Sequence, residues 1–199
     1  MRIVSGIARG RKLAAPAGNA LTIRPTSDRA REALFSIIGD RVRQAHVLDL
    51  FAGTGAIGLE AFSREARSII FVDNDISVLN LLKKNILICH KGYTGNCDIR
   101  VIKHDLAHSL PMIKIPGQFP SAFDLIFADP PYSKNLSITT LNLLNSSNLL
   151  SPTGLLVVEE RFDVHLPNGF SNIEQIDRRT YGEAAFSFYK KLPDRSTVK

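Results

Sequence analysis

Cysteine is scarce: two residues, Cys89 and Cys97, in a chain of 199. So low a number excludes a disulfide framework and fits a reduced, cytoplasmic protein. Long apolar runs are missing as well. None approaches the roughly 20 residues needed to span a bilayer. The opening Met1-Arg2-Ile3-Val4-Ser5-Gly6 has no apolar stretch long enough for a secretory leader. Glycine and proline, 13 and 10 residues, stay near average, which excludes collagen-like and low-complexity chains. A Gly-Lys-Ser/Thr triplet is absent, and with it the P-loop. What remains is a globular chain, 44% hydrophobic and 22% charged, of a length that suits one domain with a short appendage.

Acids are sparse in one place only. Residues 1–45 hold nine Lys/Arg and three acids (Asp28, Glu32, Asp40), whereas the rest of the chain is balanced, so the whole net charge of +6 falls on the first quarter. Arginines interleaved with apolar and turn residues point to a polyanion, nucleic acid first. The arm reads as a short β hairpin (Ile3-Val4 and Lys12-Leu13-Ala14, with Gly6 and Gly10 as turns), then a helix that starts at Thr26-Ser27-Asp28 and stops at Gly39. The candidate phosphate-gripping side chains are Arg9, Arg11, Lys12, Arg24, Arg29 and Arg31.

From residue 46 to 191 buried-strand runs alternate with helical stretches. Strands are expected at 46–51, 68–72, 99–102, 124–128 and 154–159, helices after the first two and at 136–150, and an antiparallel pair near the end; 192–199 reads as a loose tail. Such alternation predicts an α/β fold, a Rossmann-like, mostly parallel sheet with helices on both faces. Ligands of these sheets bind outside the carboxyl ends of the strands. The polar residues that end the strands are therefore the candidate site: Asp49, Asp73, Asp105 and Asp129.

The first strand runs into Phe51-Ala52-Gly53-Thr54-Gly55-Ala56-Ile57-Gly58. Glycines here let a ligand lie against the backbone. A dinucleotide would place its pyrophosphate at the following helix N-terminus, yet Asp49 precedes the turn by four residues. A carboxylate there disfavours phosphate and favours a cation. S-adenosylmethionine carries a sulfonium and an ammonium and no phosphate, so the electrostatics prefer it. Asp73, 20 residues beyond Gly53, stands where an acid grips ribose hydroxyls; Asp75 is the near-equivalent alternative. Asp105 suits an adenine amino group. The full cofactor set is Asp49, Phe51, Ala52, Gly53, Thr54, Gly55, Asp73, Asn74, Asp105 and Leu106.

Asp129-Pro130-Pro131-Tyr132 follows a buried strand directly. An exocyclic amine on a nucleobase is a poor nucleophile, because its lone pair is delocalised into the ring. The Asp129 carboxylate and the Pro130 carbonyl can hold its two N–H groups, aligning the lone pair and stabilising charge that develops on nitrogen. The prolines fix φ and remove backbone donors. Tyr132 offers a face for an extruded base. These three residues are the catalytic candidates.

The stretch Leu48–Ala61 resembles the cofactor loop of class I methyltransferases, and Asp129-Pro130-Pro131-Tyr132 resembles the signature of their amino-methylating branch. Arg2-Ile3-Val4-Ser5-Gly6, Arg9-Gly10-Arg11-Lys12-Leu13, Arg24–Phe35 and Tyr181-Gly182-Glu183 resemble the RsmD family, bacterial 16S rRNA guanine-N2 methyltransferases that act on guanine 966 of that RNA. The resemblance covers about residues 1–191; Cys89–Cys97, Lys114–Ser121 and the segment Ser5, Ile7-Ala8 depart from it. It implies a seven-stranded sheet with a reversed last strand, S-adenosylmethionine as donor with S-adenosylhomocysteine as product, and 16S rRNA in the 30S subunit as partner. A monomer without metal or membrane attachment is expected. The order Cys89, Cys97, His104, His108 is read as thiols and surface imidazoles rather than a zinc site, and Glu159-Glu160 as a solvated pair. The alternatives are a DNA adenine-N6 methyltransferase, which would need a larger recognition domain, and a non-catalytic RNA-binding assembly factor.

Overall fold

Val, Ile, Leu and Phe dominate the strand runs, and the sheet they form buries both its faces. The computed structural model describes residues 1–15, 27–111, 122–132 and 135–193. Arg24, the departing stretch Lys114–Ser121 and the tail from 194 lie outside the described residues. Helix α1 (Asp28–Ile38) leads through a short 3-10 turn (Gly39–Val42) into β1 (His46–Leu50), α2 (Ala56–Ser63), β2 (Ser68–Asp73), α3 (Ile76–His90), β3 (Asp98–Lys103), β4 (Phe123–Ala128), α4 (Leu136–Asn145), β5 (Leu150–Arg161), β6 (Ile173–Tyr181) and β7 (Ala184–Lys191).

The seven strands lie in the order β3-β2-β1-β4-β5-β7-β6. β1 to β5 pair in parallel, and β7 runs antiparallel between β5 and β6. This is the Rossmann-like arrangement with a reversed last strand. Alternation along each strand separates two cores. Val47, Ile69, Phe71, Phe127 and Phe186 pack with Leu34, Phe35, Phe62 and Leu82 from the first three helices. Leu48, Leu50, Ile126, Leu156 and Tyr189 pack with Leu141 and Leu144 of α4.

Local signals explain the helix limits. Ser27 caps α1, its hydroxyl accepting from the Ala30 N–H at 3.1 Å, and Gly39 ends it with φ +58°. α4 is shorter than the expected 136–150, ending at Asn145. Ser146 and Ser147 follow, and the Ser147 hydroxyl engages the Leu144 carbonyl and the Leu149 N–H instead of extending the helix. β5 correspondingly begins at Leu150.

The basic arm folds onto the same core. Its hairpin has one bridge, Arg2 with Lys12, flanked by Ile3 N–H to Arg11 carbonyl and Gly10 N–H to Ile3 carbonyl bonds of 3.0 and 2.9 Å. Ile3, Ala8 and Leu13 are buried among the residues of the first core. Val4 and Ser5 donate their N–H groups to the buried Glu60 carboxylate on α2, at 2.8 and 3.0 Å.

Candidate active site

The sheet order reverses between β1 and β4, so the loops at their carboxyl ends part and leave a crevice. Leu50 pairs with Ala128 in register, and the Asp129 N–H reaches the Leu50 carbonyl at 3.4 Å. The glycine turn and the Asp-Pro-Pro-Tyr segment therefore stand side by side. On the other flank the Ala52 N–H bonds the Val72 carbonyl and the His104 N–H bonds the Asp73 carbonyl, both at 3.0 Å. These links bring the ends of β3, β2, β1 and β4, with Asp105, Asp73, Asp49 and Asp129, along one rim.

Gly53 adopts φ +55°, and a Cβ built there would meet only the Phe51 carbonyl oxygen, 3.9 Å away. It is an open shelf. Gly58 differs: a Cβ would come within 2.3 Å of Phe71 Cε1 and 2.9 Å of Asp49 Oδ2. That close approach lets the Gly58 N–H donate to Asp49 Oδ2 at 2.9 Å. Phe51 also takes a positive φ, +58°, a conformation unusual for a bulky side chain that the surrounding turn must hold. Ala52 and Thr54 are buried beneath the shelf.

Asp49 is almost fully enclosed, and burial pushes its carboxyl up to about 8, against the opposing pull of the Gly58 N–H and with a smaller contribution from the Asp73 charge. Asp73 Oδ2 accepts from the Gly53 N–H at 2.9 Å and Oδ1 from the Asp75 N–H at 3.0 Å. Asp75 instead caps α3, its Oδ1 accepting from the Ser77 and Val78 N–H groups. The two acids are thus separated: Asp73 braces the shelf and Asp75 the helix. Asn74 is exposed beside them. Asp105 is exposed, its Oδ1 turned to the Ala107 N–H at 2.9 Å, with Leu106 buried next to it.

Asp129 is pushed well above the usual carboxylate range by burial first, then by the negative charges of Glu159, Asp49 and Glu160. Pro130 is buried, Pro131 exposed, and Tyr132 half-buried, its hydroxyl donating to Glu159 Oε1 at 3.4 Å. Burial and the Glu159 charge raise the Tyr132 hydroxyl. The expectation of a solvated Glu159-Glu160 pair is corrected here. Glu159 and Glu160 are 5% and 8% exposed. Glu160 accepts the Ser137 hydroxyl at 2.6 Å and the Arg161 N–H at 2.9 Å. Glu159 faces the site. The signal in the sequence was their position after Leu155–Val158, at the end of a strand buried on both faces.

Two of the expected phosphate-gripping residues have partners within the chain. Arg31 is fully buried: it bonds the Arg2 carbonyl and Asp28, and its Nε lies 3.6 Å from Glu60 Oε2. Arg11 reaches across to the end of α3, donating to the carbonyls of Ile88, Cys89 and Lys91. A guanidinium there satisfies carbonyls that a helix end leaves without partners. Arg9, Lys12 and Arg29 are exposed. Cys89 is buried, and both thiols are pushed up by burial. Among the described residues no group of His, Cys, Asp and Glu is placed to hold a metal ion, and no helix is long and apolar enough to cross a membrane.

A reversed seven-stranded sheet whose first glycine turn faces an Asp-Pro-Pro-Tyr segment defines a Rossmann-like methyltransferase. The family described as Conserved hypothetical protein 95 matches residues 1–190. The chain belongs to this, the RsmD family. It is 35% identical over 192 residues to Ribosomal RNA small subunit methyltransferase D of Haemophilus influenzae, covering 96% of this chain and 93% of that protein. It is 33% identical over 191 residues to the protein of the same name from Escherichia coli K12, with 96% and 90% covered. A solved Thermus thermophilus structure, titled as a hypothetical protein, superposes with a TM-score of 0.74 at 33% identity, over 96% of this chain and 99% of that one.

Proposed function

We propose that the protein transfers a methyl group from S-adenosylmethionine to the exocyclic N2 amine of a guanine in 16S rRNA, guanine 966 by family resemblance, on the small ribosomal subunit. The observation that carries the reading is the side-by-side placement of the glycine turn and Asp129-Pro130-Pro131-Tyr132, fixed by the Leu50–Ala128 register. The names of the Haemophilus and Escherichia relatives supply the RNA and the subunit.

The residues present fit the cofactor. Gly53 is an open shelf, and the crevice gathers Asp49, Asp73, Asp129 and Glu159. The carboxyls of Asp49 and Asp129, held above their ordinary range by burial, are stabilised by a cationic ligand, which restores the ionised form. Asp49, Phe51, Ala52, Gly53, Thr54 and Gly55 would line its methionine end, Asp73 and Asn74 its ribose, and Asp105 and Leu106 its base. When bound, the cofactor supplies an electrophilic methyl group.

The chain's own groups do the rest. Asp129 and the Pro130 carbonyl accept the two N–H bonds of the amine and orient its lone pair. Tyr132, tethered to Glu159, presents its ring to the swung-out base. Arg9, Lys12 and Arg29 face solvent and supply phosphate contacts; in this reading residues 1–45 are the RNA-binding arm and 46–191 the catalytic part. Labelled methyl transfer to small subunits from cells lacking this gene, followed by nucleoside analysis, tests the proposal. N2-methylguanine at one position is expected. Transfer to duplex DNA but not to the subunit would favour the adenine-N6 alternative, and failure to bind S-adenosylmethionine the assembly-factor reading.

A further inference from the structure

Asp129 has a neighbour that the catalytic scheme does not use for chemistry. Ala128 pairs with Val158 across the parallel β4–β5 ladder, so the next residues, Asp129 and Glu159, stand side by side on adjacent strands. Residues opposite one another in a ladder project to the same face of the sheet. Glu159 is buried, negative enough at Asp129 to help raise its carboxyl, and held through the Tyr132 hydroxyl to Glu159 Oε1 contact of 3.4 Å. A carboxylate closed in beside the reacting acid, and anchored by the ring against which the base would lie, sits where it can meet the edge of that base.

We infer that Glu159 is a specificity-determining residue that accepts the N1–H of the target guanine; this rests on the guanine-N2 reading above. Guanine carries three N–H bonds on adjacent positions of one edge, two on N2 and one on N1. Asp129 and the Pro130 carbonyl take the N2 pair. The N1–H then enters the crevice next to them and requires an acceptor of its own, because a buried donor without a partner is costly. Glu159 is that acceptor. A purine whose N1 is a bare lone pair would turn that lone pair toward a carboxylate and be rejected. The same arrangement excludes adenine, whose N1 has no proton, even though its own exocyclic amine could reach Asp129.

The test uses 2,6-diaminopurine, which keeps the N2 amine but has no proton on N1. Small subunits are reconstituted with 16S rRNA carrying either guanine or 2,6-diaminopurine at the methylated position, and kcat/KM is measured on both. The unaltered protein should prefer guanine by about 100-fold or more. Glu159→Gln, whose amide can donate to N1 or accept from it, should bring the two substrates within a few-fold of each other. Tyr132→Phe, which removes the hydroxyl that holds Glu159 but keeps ring and carboxylate, should lower activity and weaken the preference less than Glu159→Gln does. Equal use of both purines by the unaltered protein would overturn the assignment without any variant. So would an undiminished preference in Glu159→Gln, which would give the N1–H to Asp129. Methylation of the subunit at an atom other than guanine N2 would bring down the underlying reading, and the inference with it.

Discussion

The side-chain amide of Asn85 donates to the backbone carbonyl of Thr54 over 2.9 Å, and both residues are buried. The same amide group donates to the Ala14 carbonyl at 3.1 Å, and its Oδ1 accepts the Ala14 N–H at 2.8 Å. One side chain on α3 thus holds the glycine turn and the end of the basic arm together.

Replacing Asn85 by Ala leaves the buried Thr54 carbonyl without this partner, at a cost on the order of 1–3 kcal/mol, and frees the half-buried backbone groups of Ala14 as well. We expect Asn85→Ala to lower the melting temperature and to weaken S-adenosylmethionine binding about tenfold by calorimetry. Unchanged cofactor affinity in a destabilised but folded variant would show that the Thr54 contact does not shape the shelf.

The buried acids make stability depend on pH. Asp49 titrates near 8 in the folded chain and near the ordinary carboxylate value when unfolded. Between those values the native state binds more protons, so stability is fullest in acid and falls as pH rises toward 8. Asp129 shifts in the same direction. Chemical denaturation of the free protein from pH 5 to 8.5 should show this decline, and Asp49→Asn should flatten it. S-adenosylmethionine, preferring the ionised carboxylates, should bind more tightly as pH rises through 8 and release protons below it. A stability profile rising over this range would contradict the burial argument.

Asp129→Ala removes the acceptor proposed for the target amine but leaves the glycine turn in place. Turnover should fall by about a hundred- to a thousandfold, in the range seen when one preorganised charge-stabilising group is lost, with cofactor affinity changed less than tenfold. Activity within tenfold of the original would remove Asp129 from the chemistry.

Two classes of cationic residue in the arm should respond differently. Glu60→Ala strips one of the two carboxylate partners from buried Arg31 and orphans the Val4 and Ser5 N–H groups, and should cost about 3–5 kcal/mol of stability. Arg9→Ala, Lys12→Ala and Arg29→Ala should leave the melting temperature within a degree or two. Each should instead reduce the slope of log affinity for rRNA against log salt by about 1. Equal salt dependence in the triple variant would place the RNA footprint elsewhere.

The parallel core and the strand-end acids were legible in the sequence, because a two-faced buried strand announces itself as an unbroken Val/Ile/Leu run and a polar residue that ends such a run must lie at the rim. Asp49, Asp73, Asp105 and Asp129 were found that way. Glu159 and Glu160 were not, because an acidic doublet reads as solvated until Ser137 and Tyr132, distant in sequence, are seen to close over it. Charge counting likewise located the basic arm but could not say which arginines face outward. Arg11 and Arg31 are spoken for by a helix end and by Glu60, partners fixed only once α2 and α3 are packed. The stop of α4 at Asn145 was missed for a local reason, the competing hydrogen bonds of Ser147.

Arg11 bound to the last carbonyls of α3 has a practical corollary. Swapping the first fifteen residues for those of a homologue would expose the end of that helix as well as replace the exposed Arg9 and Lys12. The hairpin is therefore not a detachable cassette: a chimaera would have to carry the matching helix along with it.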